Sequence, residues 1–162
     1  MDLPEPTFDD VTHLRQAIHQ ASLARARGDH PFGACLVDDE GRLLMEGGNT
    51  VVTSGDGTAH AELALLSRAM RELGRDRVRG ATLYASTEPC SMCAGAARWA
   101  GIGRVVFGTP QEEMAGFGSA GAQSARDIRC RAVLAAAGGE VQVVGPMLQT
   151  EARKVHEGFW PD

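Results

Sequence analysis

Basic charge is the first thing this chain is short of. Lys154 is the only lysine, Lys and Arg together number 16 against 21 Asp and Glu, and the formal net charge is −5. A constitutive nucleic-acid binder normally carries a basic face, so the balance argues against that class while leaving room for a local patch. No apolar run approaches the length of a membrane span. The opening Met1-Asp2-Leu3-Pro4-Glu5-Pro6 is acidic and proline-broken, which does not suit a signal or transit peptide. Repeats, low-complexity tracts and interdomain linkers are also missing. With 43% hydrophobic residues, the expectation is one globular, cytoplasmic domain over residues 1–162 with a proper core.

Cysteine is scarce as well. Of the four present, Cys90 and Cys93 form a C-x-x-C with His60 upstream, so metal binding in a reducing compartment is a better reading than disulfides. Cys35 and Cys130 read as small buried apolar residues.

The elements follow from periodicity and turn chemistry. Thr7 and Asp10 form a capping pair before a helix over about 8–27, with Val11, Leu14, Ile18 and Ala21 as its apolar stripe and Gly28 as its stop. Ala34–Val37 and Leu43–Met45 read as a hairpin closed by Gly47-Gly48-Asn49, and 50–58 as a polar loop. A second helix starts near Ala59 or His60, buries Leu63, Leu66, Met70 and Leu73, and stops at Gly74. Strand Ala81–Ala85 leads to a third helix that opens at Pro89 and runs to about Ala100. Strand Arg104–Phe107, a loop over 109–123, a helix from Ala125 to Ala137, strand Val141–Val144 and a final helix from Gln149 to Phe159 complete the chain. A hairpin followed by alternating strands and helices indicates a layered α/β domain with a mixed sheet.

The chemistry gathers at His60-Ala61-Glu62 and Pro89-Cys90-Ser91-Met92-Cys93. Two thiolates three residues apart on one helical turn, with an imidazole from another helix start, suit zinc rather than magnesium or calcium. Free N–H groups and the positive helix end stabilise thiolates there. A catalytic zinc keeps three protein ligands and a place for water, whereas a structural zinc takes four. A fourth would have to come from Cys35, Cys130, His13, His19, His30 or His156, and none has matching spacing. H-x-E followed by P-C-x-x-C marks zinc-dependent base deaminases. On this reading His60, Cys90 and Cys93 hold one Zn2+ per chain, and Glu62 is the catalytic acid/base that shuttles the water proton.

These residues resemble the cytidine/deoxycytidylate deaminase superfamily. The likeness extends from about residue 13 to 160 and is strongest at Pro31-Phe32-Gly33-Ala34, Gly48-Asn49, Thr58 through Glu62 and Glu88 through Gly95. It is similar to the branch holding guanine deaminase, fungal cytosine deaminase and bacterial tRNA adenosine deaminase. The resemblance implies a three-layer α/β/α cytidine deaminase-like fold with a five-stranded mixed sheet, a homodimer, and a small aminated base or nucleoside as partner, while the hydropathy and acidic balance noted above give no membrane partner and rank nucleic acid lower. It also implies substrate contacts from Asn49, Ala61, Phe32, Trp99, Phe117 and Trp160.

Some of these have plain alternatives. Asn49 also suits a hairpin end, Phe32 and Trp99 also suit a core, and Phe159-Trp160 also suits a helix-end anchor. Phe32 and Trp99 resemble the guanine deaminases, which places a guanine-like substrate first. Yet the acidic residue those enzymes carry after a Gly-Phe is missing here, where Gly116-Phe117 runs into Gly118-Ser119 and only Glu112 or Glu113 is near. Residues 102–108 are closer to the tRNA enzymes, which makes adenosine-to-inosine editing of tRNA the second expectation. A non-catalytic zinc-stabilised binding module is the third.

Overall fold

The computed structural model describes residues 8–136 and 138–161. The acidic opening segment and Thr7 of the expected capping pair lie outside the described residues. Five strands form one sheet in the order β2-β1-β3-β4-β5. They are β1 (Gly33–Val37), β2 (Leu43–Gly48), β3 (Thr82–Thr87), β4 (Arg104–Thr109) and β5 (Gln142–Val144). β1 runs antiparallel to both β2 and β3, while β3, β4 and β5 are parallel. The sheet is therefore mixed, as expected.

Side chains on successive strand residues point to opposite faces, and this chain fills both faces with apolar groups. Leu36, Leu83, Val105, Phe107 and Val143 join one core with α3 (Ala61–Glu72), α5 (Ser91–Ala100) and α7 (Cys130–Ala136). Cys35, Val37, Tyr84, Val106 and Val144 join another with Leu14 and Ala17 of α1 (Phe8–Ala26). Short α8 (Gln149–Lys154) packs on β4. Helices thus cover both faces, and the three-layer α/β/α arrangement holds. Among the described residues no helix is long and apolar enough to cross a membrane.

The buried face of α1 differs from the expected stripe. Leu14, Ala17, Ala21 and Ala24 are its fully buried apolar positions, while Val11 and Ile18 are half-buried. The cause lies across the interface. A Cβ on Gly33 would collide with Ala17 O, and one on Gly48 would come within 2.8 Å of Gln20 O. Alanines meet glycines here, so α1 sits closer to β1 and β2 than larger side chains would allow.

Boundaries shift where turns do more than connect. The loop at 50–58 contains α2 (Val51–Ser54), and the link after Gly74 contains α4 (Arg75–Val78). The stretch at 109–123 holds a 3-10 turn, Gln111–Gly116, and most of α6 (Gly118–Ser124). The helix expected from Ala125 begins only at Cys130, and the last helix ends at Lys154, beyond which turns carry Phe159 and Trp160. Cys35 and Cys130 are fully buried free thiols, and burial raises both well above the ordinary thiol range.

Candidate active site

Each metal-ligand candidate is placed by the start of a helix. His60 and Cys90 are the N-cap residues of α3 and α5, both in extended backbone conformation (ψ 151 and 171), and Cys93 lies in the first turn of α5. The expected helix start at Pro89 moves to Ser91, because Glu88-Pro89-Cys90 continues out from β3. That places the Cys90 sulfur at a helix mouth, where backbone N–H groups have no helical acceptor.

The three ligand atoms lie within 4.8 Å of one another. His60 Nδ1 and Cys90 Sγ are 3.5 Å apart. A tetrahedral zinc with ordinary Zn–N and Zn–S bonds requires about 3.6 Å between such atoms, so the donor set fits that ion. Among the described residues no fourth His, Cys, Asp or Glu joins the group. In the metal-free pair the two sulfurs share one proton, which the hydrogen bond to Cys90 and burial keep on Cys93. Hydrogen bonding from Cys93, supplemented by His60, holds the Cys90 thiol well below its usual range, and the bond to Cys90 raises His60.

Glu62, in the first turn of α3, is buried with 6% exposure. Burial, followed by the nearby Cys90 sulfur, pushes its carboxyl up to about 7. A group poised near neutrality both takes and gives protons, which general acid–base chemistry requires. Beside the ligands, Gly57, Met92, Gln123, Ser124, Arg126 and Asp127 line a cleft of about 590 Å³ that His60 and Cys90 also face. That size suits a small ligand.

Asn49 is buried at the end of β2. Its N–H donates to Phe32 O (2.9 Å), and its side-chain oxygen accepts from Val51 N–H (2.9 Å). The second bond orients the amide and leaves the NH2 group as the end that can donate to a ligand. Ala61, buried and first in α3, follows directly on His60. Phe32, Phe117 and Trp160 come together although they are far apart in sequence. Phe32 lies 5.9 Å from Trp160 between ring centroids, and both Phe32 (5.1 Å) and Phe117 (5.2 Å) contact the imidazole of His156. His30 adds a face against Trp160 at 5.1 Å and is close enough to His60 for their charges to interact.

Trp99 does not join them. It is 75% exposed on the outside of α5, next to Leu63, Leu66, Met70 and Ala96, with Arg98 over its ring at 5.5 Å. The helix turns residue 99 away from the face that carries Cys93, so within one chain Trp99 stands apart from the other expected substrate contacts. The glutamates near Phe117 are engaged elsewhere: Glu112 pairs with Arg129 (3.2 Å), and Glu113 with Gln149 (2.9 Å) and Arg153 (3.4 Å).

Sequence reasoning missed the groups that hold the site together. Glu88, 7% exposed, accepts from Gln111 N–H (3.0 Å) and Cys130 N–H (3.1 Å), clasping two later segments to the residue before Pro89. Asp127 accepts from Ser91 N–H at 2.7 Å and so occupies the first free donor of α5. His156 is wholly buried. Glu88 stood inside a noted motif, but for Asp127 and His156 the sequence offered no local signal.

Comparison with known proteins agrees with this geometry. Residues 8–109 match the cytidine and deoxycytidylate deaminase zinc-binding region. A probable cytosine deaminase of Schizosaccharomyces pombe is 39% identical over 164 residues, 99% of this chain and 98% of its own length. The tRNA-specific adenosine deaminase of Haemophilus influenzae is 39% identical over 110 residues, covering 68% of this chain and 64% of that protein. The solved guanine deaminase of Nitrosomonas europaea, at 22% identity, superposes with a TM-score of 0.76 over 98% of this chain and 95% of its own, which is a likeness of fold. With the zinc-binding region matched across both ligand motifs and a full-length relative beside it, this chain belongs to the cytidine and deoxycytidylate deaminase family.

Proposed function

We propose that the described chain acts as one deaminase domain that hydrolyses the exocyclic amino group of a small aminated base or nucleoside. The observation that carries this is the three-donor cluster with buried Glu62 beside it, since three ligands suit a catalytic rather than a structural zinc. His60, Cys90 and Cys93 would hold zinc, which when bound would lower the pKa of a water from about 15.7 to about 7. Glu62 would take one proton from the attacking water and give it to the ring nitrogen next to the amino carbon, then take the remaining proton from the newly added hydroxyl and give it to the departing amine. One water adds across the ring C=N bond, the exocyclic C–N bond then breaks, and ammonia leaves with the water oxygen retained on the base as a carbonyl. Asn49 donates to the ring through its NH2 group, and Phe32, Phe117 and Trp160 give the flat substrate its apolar walls.

A cytosine-type ring ranks ahead of guanine. The relative bearing that name spans the whole chain, and Glu112 and Glu113 are tied to Arg129 and Arg153 instead of being free to receive a guanine edge. The test is ammonia release from the zinc-loaded protein with cytosine, guanine, adenine, cytidine and adenosine. Turnover of a free base or nucleoside is expected. No turnover with zinc bound, or full activity in Glu62→Ala, overturns the proposal. The 39% identity to a tRNA-specific enzyme supports a second reading, which inosine formation on a tRNA transcript, without turnover of free bases, would favour.

A homodimer completes the proposal. Trp99, Leu63, Leu66, Met70 and Ala96 form an apolar face, and covering Trp99 with a second copy would remove its ring from water.

A further inference from the structure

His156 is buried completely, yet the mechanism above assigns it no proton to move. Its imidazole is the centre of the aromatic cluster, touching Phe32 at 5.1 Å and Phe117 at 5.2 Å and stacking on Trp160 at 6.2 Å with 18° between planes. Both ring nitrogens have partners. Trp160 Nε1 donates to Nδ1 at 3.2 Å. Nε2 lies 3.3 Å from Thr87 Oγ1, which is buried at the end of β3. The indole N–H is a donor only, so Nδ1 must accept and the ring proton must sit on Nε2, pointing at Thr87. The ring is therefore a neutral bridge of fixed tautomer. One end is the strand that leads directly to Glu88, Pro89 and Cys90, and the other is the tryptophan beside Phe32 and His30.

We propose that His156 is a positioning residue for substrate: it suspends Trp160 from Thr87 and so fixes the depth of the aromatic wall relative to the metal-binding cysteines. This rests on the deaminase reading for the identity of the substrate, but not for the bridge itself. Burial and the charges of Arg25 and Arg153 push the imidazole down to about 4, which agrees with a ring kept neutral. No carboxylate partner is needed for such a ring. Since His156 meets neither the reacting carbon nor the metal ligands, its loss should weaken binding more than chemistry.

Two arms test this. In the first, KM and kcat are measured on the base that the ammonia assay identifies. His156→Phe keeps the ring volume without the nitrogens and should raise KM about tenfold, the loss of roughly one hydrogen bond, with kcat nearly unchanged. His156→Asn restores an acceptor near Nδ1 and should recover most of that loss. Trp160→Phe should raise KM similarly, and the double variant His156→Phe/Trp160→Phe should be no worse than either single one. Additive effects, or a loss confined to kcat, would overturn the proposal.

The second arm needs no substrate. In a Trp99→Phe background Trp160 is the remaining indole. Its acrylamide quenching should increase with His156→Phe and return with His156→Asn. Identical quenching in all three would refute the bridge. If no base is turned over, the deaminase reading fails while this arm still decides the role of His156.

Discussion

The elements up to Thr109 and those beyond Pro110 differ in kind. The first set contains α1, α3 and α5, of 19, 12 and 10 residues, seated on four of the five strands. The second has helices of 7, 7 and 6 residues joined by turns, and one strand of three residues. All three metal ligands and Glu62 belong to the first. Phe117, His156 and Trp160, three of the groups around the expected substrate position, belong to the second. The zinc-binding region matched by the family ends at residue 109 as well. On the proposed function, reaction type would be built into the sheet and its long helices, which also carry Asn49 and Phe32, while the short later pieces would add the rest of the substrate wall.

That division can be broken by experiment, and the largest effect should come from the metal. Removing zinc with a chelator should abolish turnover, and restoring zinc alone should return it, as followed by ammonia release with metal analysis. Glu62→Ala should retain zinc and lose about a thousandfold in kcat, within the usual span for a missing general acid–base. A variant of the second set should behave differently. Trp160→Ala is expected to raise KM about tenfold while kcat stays within a few-fold, consistent with loss of uniform binding. If it instead lowered kcat as severely as Glu62→Ala, the proposed division of labour would be wrong.

The sharper comparison uses acid. His156 has an ordinary pKa of 6.5 and a folded value of about 4, because burial disfavours its charged form. Between those values the unfolded chain binds a proton that the folded chain does not. Its contribution is thus complete above about pH 6.5 and is lost as pH falls toward 4, at no more than about 1.4 kcal/mol per pH unit. Denaturant titrations across that range should show a shallower pH dependence for His156→Phe than for the unaltered protein. Smallest of all, Trp99→Arg should leave zinc content and monomer folding intact while shifting sedimentation toward the monomer. An unchanged assembly state would remove Trp99 from the interface.

How far the sequence could be read follows the same line. His60, Glu62, Cys90 and Cys93 are legible because their geometry is local: two residues on one helix start and two on another, each spacing set by backbone repeat. The strands were legible for the same reason. The outward placement of Trp99 was not legible, because a short motif names a residue without saying which way the helix turns it. The stripe on α1 was offset because the close approach depends on Gly33 and Gly48, which lie on other elements. His156 was invisible as a bridge, since its partner Thr87 is 69 residues away. Only folding makes them neighbours.

Glu88 has a consequence for how this architecture can diversify. Its carboxylate takes its two short hydrogen bonds from the main chain of Gln111 and Cys130, with the Arg129 guanidinium at a longer 4.0 Å. Main-chain amides are present whatever the residue, proline excepted, so these two bonds are blind to what the later segments encode. A graft that exchanges this region between relatives would keep its anchorage while acquiring a new binding wall, provided neither grasped position becomes proline.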